Sequence, residues 1–262
     1  MSWTYQFVRE WIPTLDLPSV VRLRRYVLHE SSNHASSELV VQLRGWGPVH
    51  LRTLGGGDFR MFDDMFRRRM IPPVIPGCQT LIDLGGNIGL ATIALARALP
   101  GLRSYVVEPD AGNVAMLERN LAPLVAQGRC TIERGAMWKT DDVIEIEPPE
   151  LEGSFGAVRC VDGGGGGEVV QGMTMKTILD RSGFERVDLV KVDVEGAEAG
   201  LFDSGQDWLD RVDALAVEFH GSARQQSDFD RVVAECGFSV EETYNNGVVA
   251  TRRTARARAA SA

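Results

Sequence analysis

From residue 77 onward the chain alternates short apolar runs with longer stretches whose apolar residues recur at helical spacing. "TLIDLGG" (80–86) is a strand that closes in a glycine turn, and "IGLATIALARAL" (88–99) is a helix stopped by Pro100-Gly101. "RSYVVEP" (103–109) is a second strand. It leads into the helix "AGNVAMLERNLAPLVAQG" (111–128) and a third strand around "CTIERGAMW" (130–138). The helix "TMKTILDRSG" then precedes strand "VDLVKVDV", and a helix over "AEAGLFDSGQDWLD" (197–210) precedes strand "DALAVEF". Strand and helix alternating in this way predict an α/β fold on a mostly parallel sheet. A last pair, "FSVEETY" and "GVVATRR", is joined by Asn245-Asn246-Gly247, which predicts an antiparallel edge hairpin.

The rest of the chain reads differently. Residues 1–76 mix Trp3, Tyr5, Phe7, Trp11, Tyr26 and Trp46 with many arginines and hold the turn-like "LGGGD" (54–58). They predict helices with a short hairpin, serving as a lid over the site or as a homodimer contact. "DDVIEIE" and the glycine run at 163–167 suggest an antiparallel excursion carrying a flexible surface loop. The division is therefore an N-terminal extension (1–76), an α/β domain (77–251) and a basic tail expected to be disordered (252–262).

Composition narrows the partners. The 262 residues are 44% hydrophobic and 24% charged with a formal net charge of -8, so no basic footprint for nucleic acid or anionic membrane exists. A small-molecule partner is expected. Cys78, Cys130, Cys160 and Cys236 are widely spaced and read as reduced thiols. No apolar leader or membrane-length stretch is visible, which places the protein in the cytoplasm.

The candidate chemistry starts at the first glycine turn. Asp83 ends an apolar strand, and Gly85, Gly86, Asn87 and Gly89 follow as the helix begins, so backbone can approach a ligand there. A dinucleotide fingerprint would need glycine at 84, where leucine stands, and Asp83 would repel a pyrophosphate. A carboxylate suits a cationic ligand bearing ammonium and sulfonium, such as S-adenosyl-L-methionine (SAM). Glu108, followed by Pro109, ends the second strand where an acid can accept both ribose hydroxyls.

"IDLGGNIG", "VVEPDAGNVAMLERNL" and "VKVDVEGAE" together resemble the signature blocks of FkbM-type SAM-dependent methyltransferases over roughly residues 80–220. The resemblance implies a Rossmann-like class I methyltransferase fold of seven strands. It also implies SAM as methyl donor and O-methylation of a hydroxylated sugar, polyketide or related metabolite of secondary metabolism. Gly86 stands where alanine is commoner in that family, and the N-terminal 75 residues resemble nothing in it.

Methyl transfer to a hydroxyl needs an aligned acceptor oxygen and a group to take its proton. Charges in a parallel sheet collect at strand exits, which is where Lys191, Asp193 and Glu195 stand. In the implied sheet order the neighbouring strand ends in Glu218 and His220. We expect His220, neutral at cytoplasmic pH, to be the base, with Asp193 or Glu218 orienting it. Lys191 is equally a substrate contact or a structural ion pair with Glu195 or Glu218, and Glu198 is expected on a solvated helix. A divalent metal on Asp193, Glu218 and His220 is a less favoured alternative. Ala136, Met137 and Trp138 follow the third strand, where they wall an adenine, or Met137 and Trp138 are ordinary core. Competing functions are a nicotinamide-dependent oxidoreductase and a catalytically inactive binding subunit.

Overall fold

The computed structural model describes residues 3–29, 38–53, 57–147, 159–161, 168–243 and 247–252. The turn glycines Gly55 and Gly56, the run at 163–167, Asn245-Asn246 and residues 253–262 of the tail lie outside the described residues, whereas Arg252, expected to open that disordered tail, is the last residue of a strand and donates to three backbone carbonyls.

Helices α1 (Trp3–Trp11) and α2 (Leu17–His29) precede a hairpin of β1 (Glu38–Leu43) and β2 (Gly47–Arg52), and α3 (Gly57–Phe66) follows it. The sheet region then runs β3 (Thr80–Leu84), α4 (Leu90–Ala98), β4 (Arg103–Glu108), α5 (Ala111–Asn120), α6 (Ala122–Ala126) and β5 (Cys130–Arg134). The single helix expected over 111–128 is broken because Pro123 in the first turn of α6 has no N–H to continue α5. Next come β6 (Ala136–Met137), β7 (Val143–Glu147), β8 (Arg159–Val161), β9 (Glu168–Met173) and α7 (Met175–Ser182). Then follow β10 (Leu189–Val192), β11 (Ala214–Glu218), α8 (Ala223–Gln226), α9 (Phe229–Glu235), β12 (Phe238–Glu242) and β13 (Gly247–Arg252).

Strands order as β12-β13-β11-β10-β3-β4-β5 in a seven-stranded sheet. The five strands from β11 to β5 run parallel, and β13 is antiparallel to both β11 and β12. The predicted parallel sheet with an antiparallel edge hairpin is therefore present. β7 pairs antiparallel with β8 and β9 in a separate small sheet, the excursion that the sequence suggests.

One element differs. The stretch 197–210 holds two 3-10 turns, Ala197–Gly200 and Asp207–Arg211, instead of a helix. Gly196 and Gly205 sit at φ 103° and 100°, outside the helical region, and interrupt it on either side.

The N-terminal extension is continuous with the core. Trp11, Val20, Leu23, Val41 and Phe62 pack in one cluster with Leu81, Ile88 and Leu95 of the sheet domain. Trp11 is 1% exposed and stacks on Phe62 with ring centroids 5.5 Å apart. A second cluster fills the opposite face of the sheet, with Ile82, Val190, Leu215 and Phe229 among its members. No helix among the described residues is long and apolar enough to cross a membrane.

Candidate functional site

The turn after β3 is built by close backbone approach. Gly85 has φ 74°, and a Cβ there would lie 1.8 Å from the carbonyl oxygen of Asp193. At Gly86 a Cβ would lie 2.2 Å from Val106 Cγ1. The N–H groups of both glycines donate to Val107 O at 3.0 Å, so the turn is clamped between β4 and β10. Asn87 follows at φ 48°, and Gly89 at φ 89° leads into α4.

Asp83 does not reach the ligand space. It is fully buried, accepts a hydrogen bond from Thr92 Oγ1 at 2.6 Å and pairs with Lys191 Nζ at 3.2 Å. The two are register partners in adjacent parallel strands, which puts their side chains on one face. Lys191 also donates to Gly85 O at 2.9 Å and lies 3.5 Å from Asp193. Its ammonium is held above the usual lysine range: burial works against the charge, but Asp83 and then Asp193 outweigh it. The expected contact between Asp83 and a cationic ligand is thus replaced by an internal pair that fixes the glycine turn. Lys191 takes its structural role with Asp83 and Asp193, not with Glu195 or Glu218.

Glu108 ends β4 nine-tenths or more buried and is fully held. Its Oε2 accepts from Asn87 N–H at 2.8 Å, and its Oε1 from Asp110 N–H and Asn113 Nδ2, each at 3.1 Å. Burial raises its carboxyl above the usual range, and these three donors work to lower it again.

These elements open on a cavity of about 340 Å³. Gly85, Gly86, Asn87, Glu108 and Pro109 line one part, together with Ala136 and Met137. Trp138 does not line it; the residue packs against the small cluster of Ala136, Ile144, Ile146 and Val170, so the core reading holds for its side chain. Gly89 likewise stands behind the wall, beneath Leu121. Lys191, Asp193 and Glu195 continue the lining, and Glu218 with Thr243 and Val249 completes it.

The N-terminal extension supplies the remaining wall. Met61, Asp64 and Met65 of α3, with Met70–Pro73 after it, line the cavity, and Met61 Sδ meets Asn87 Nδ2 at 3.7 Å. Sequence reasoning missed these residues. The pair Met61 and Met65 at helical i,i+4 spacing was a visible signal, but nothing local said which pocket it faces.

The acidic end is organised by a residue that the sequence misplaces. Glu198 is fully buried, not solvated: it accepts from Val194 N–H at 3.1 Å and Gly196 N–H at 2.8 Å, and meets His220 Nδ1 at 2.9 Å. His220 Nε2 lies 3.4 Å from Glu195 Oε2. The hydrogen bond to Glu198 leads in raising the imidazole to about 9, so His220 holds a proton at neutral pH and is not the neutral base that was expected. Its orienting partner is Glu198, neither Asp193 nor Glu218. His220 does not line the cavity; Glu218 does, and among the described residues no hydrogen bond or ion pair reaches the Glu218 carboxylate. Burial first, then the Asp193 charge, raises Glu218 above the usual carboxylate range.

The residues present fit SAM by their donor set. A strand-end carboxylate suits a ribose, and the apolar pair Ala136 and Met137 suits a purine. Gly85, Gly86 and Asn87 line the same cavity, where the turn backbone can meet a methionine chain, and the cavity volume lies in the range of small-molecule sites.

Residues 83–240 match the family model "Methyltransferase FkbM domain". Among solved structures the chain is similar to methyltransferase FkbM from Methylobacillus flagellatus, with 15% identity and a TM-score of 0.47, over 66% of this chain and 43% of that one. A methyltransferase from Geobacter sulfurreducens shows 17% identity and a TM-score of 0.39 over 74% and 88% of the two chains. Precorrin-6y C5,15-methyltransferase from Geobacter metallireducens shows 12% and 0.40 over 67% and 80%. The chain thus spans less than half the length of the Methylobacillus chain. No curated protein sequence matches it. With the family model spanning well over half of the sequence, the chain belongs to the FkbM methyltransferase domain family.

Proposed function

We propose that the protein transfers a methyl group from SAM to a hydroxyl of a small metabolite. One observation carries this reading: a single cavity joins the glycine turn and Glu108 to the Glu218 carboxylate, which no described residue hydrogen-bonds or pairs with, and β10 lies between β3 and β11. SAM supplies an electrophilic methyl on a sulfonium. The Gly85–Asn87 backbone receives its methionine end, Glu108 its ribose hydroxyls, and Ala136 with Met137 its adenine. Bound there, SAM would supply its methyl to the acceptor oxygen as the sulfur–methyl bond breaks, and would leave as a neutral thioether. The hydroxyl proton passes to Glu218. Met61, Met65 and Met70 line the same cavity, flexible apolar side chains that suit a substrate with an apolar body.

The test is calorimetric titration of the full chain with S-adenosylhomocysteine, with NADH as control, followed by a screen of hydroxylated acceptors for SAM turnover. Binding of the thioether but not of NADH supports the reading. Binding of NADH alone would return the oxidoreductase alternative.

A further inference from the structure

Asp193, Glu195 and His220 each offer one ligand atom, and these atoms lie within 4.8 Å of one another. Two carboxylate oxygens and an imidazole nitrogen form a donor set suited to a divalent cation, and three protein ligands leave coordination positions open. The cluster has a supporting shell. Glu198, fully buried and held by two backbone N–H groups, meets His220 Nδ1 at 2.9 Å and thereby turns Nε2 toward Glu195. A buried carboxylate behind the far nitrogen of a histidine is the arrangement that orients an imidazole as a metal ligand.

The charge balance points the same way. Lys191, the nearest lysine, is already shared between buried Asp83 and Asp193. Asp193, Glu195 and Glu218 all line the cavity, and among the described residues the ion pairs that reach them come from Lys191 and the His220 ring. A proton held between His220 and Glu195 and a divalent ion are two ways of neutralising the same group of carboxylates.

We propose that Asp193, Glu195 and His220 bind one divalent cation of the Mn²⁺ or Mg²⁺ class at the acceptor end of the cavity, with Glu198 as the positioning residue for His220. With Glu218 lining the same cavity, an ion held there would supply Lewis-acid chemistry, taking the acceptor hydroxyl as a ligand and lowering its pKa. That role rests on the proposed methyl transfer; the binding of the ion does not.

The experiment is titration of the chelator-treated full chain with Mn²⁺, followed by the loss of the free-ion paramagnetic resonance signal, in the native protein, Glu195→Gln and Glu198→Gln. S-adenosylhomocysteine affinity is measured in parallel on each. We expect one Mn²⁺ per chain, weakened at least tenfold by Glu195→Gln and about 10- to 100-fold by Glu198→Gln. S-adenosylhomocysteine affinity should stay unchanged in Glu195→Gln, which shows that the variant is folded. Absence of Mn²⁺ binding up to millimolar concentration, or binding indifferent to Glu195→Gln, overturns the metal site. Mn²⁺ binding without S-adenosylhomocysteine binding leaves the metal site standing and overturns the methyltransferase reading.

Discussion

Lys191 Nζ stands 3.2 Å from the fully buried Asp83 carboxylate and 2.9 Å from the Gly85 carbonyl, so one ammonium ties the end of β3 to the turn that follows it. Removing one member of a buried pair leaves an uncompensated charge, a loss of about 3–5 kcal/mol. Lys191→Met and Asp83→Asn are each expected to lower stability by that order in denaturant unfolding. The double variant should lose less than the sum of the two. Additive losses would show that the two charges do not depend on each other.

The three turn glycines should rank by what a methyl group would meet. Gly85→Ala adds a left-handed strain of about 1–2 kcal/mol to a backbone clash at 1.8 Å that no side-chain movement relieves. Gly86→Ala presses on Val106 and Leu117 side chains, which can shift, and Gly89→Ala carries the same left-handed strain at φ 89° but meets only the Leu121 side chain, at 3.1 Å. The expected loss of stability is largest for Gly85, where strain and a backbone clash combine, and smaller for both Gly86 and Gly89, read as unfolding midpoints. A Gly85→Ala protein as stable as Gly89→Ala would contradict the close approach of the turn to Asp193.

Much of this site is legible in the sequence because a parallel sheet puts its ligand-facing residues at strand ends, where a single charge after an apolar run is visible. Glu108, Asp193 and Glu218 stand at or just beyond such strand ends and the glycine turn supplies Gly85, Gly86 and Asn87, and all six line the cavity. What fails is side-chain direction. Asp83 points at Thr92, nine residues on, because α4 packs back over the strand, and no strand pattern encodes that. β10 ends at Val192 and Glu195 turns to φ 52°, so period-two alternation no longer assigns faces beyond the strand. Glu198 is hidden for the same reason: the expected helix would have exposed it, whereas the glycine-interrupted 3-10 turn folds it under its own loop.

Trp11 tests whether the N-terminal extension is a separable lid. It is 1% exposed and stacked on Phe62 of α3, the helix that also carries Met61 and Met65 to the cavity. Trp11→Ala should cost about 3–5 kcal/mol in a single cooperative transition. Two separate transitions, with the sheet domain unaffected, would mean that the extension folds independently.

Glu108 carries a heavier consequence than a surface acid, because its oxygens already accept from Asn87, Asp110 and Asn113. Replacing it with Gln presents an amide N–H₂ to at least one backbone N–H. Charge-assisted hydrogen bonds contribute about 1.5–3 kcal/mol each, so the loss of one ribose contact corresponds to a roughly tenfold to hundredfold weaker complex. Calorimetry with S-adenosylhomocysteine on Glu108→Gln should show that decrease. Equal affinity would remove Glu108 from the ribose site.

Glu218 and the cofactor contacts lie on different strands, β11 and β3–β4, and that separation allows the chemical step to be told from binding. Glu218→Gln keeps the size of the side chain and removes its capacity to take a proton. If Glu218 receives the acceptor hydroxyl's proton, single-turnover methyl transfer to an acceptor found in the screen should slow by about 10²- to 10⁴-fold. S-adenosylhomocysteine affinity should remain that of the native chain, since no proposed contact to the cofactor involves Glu218. A full rate in Glu218→Gln would show that the proton leaves by another route and would move attention to the Asp193, Glu195 and His220 cluster beside it.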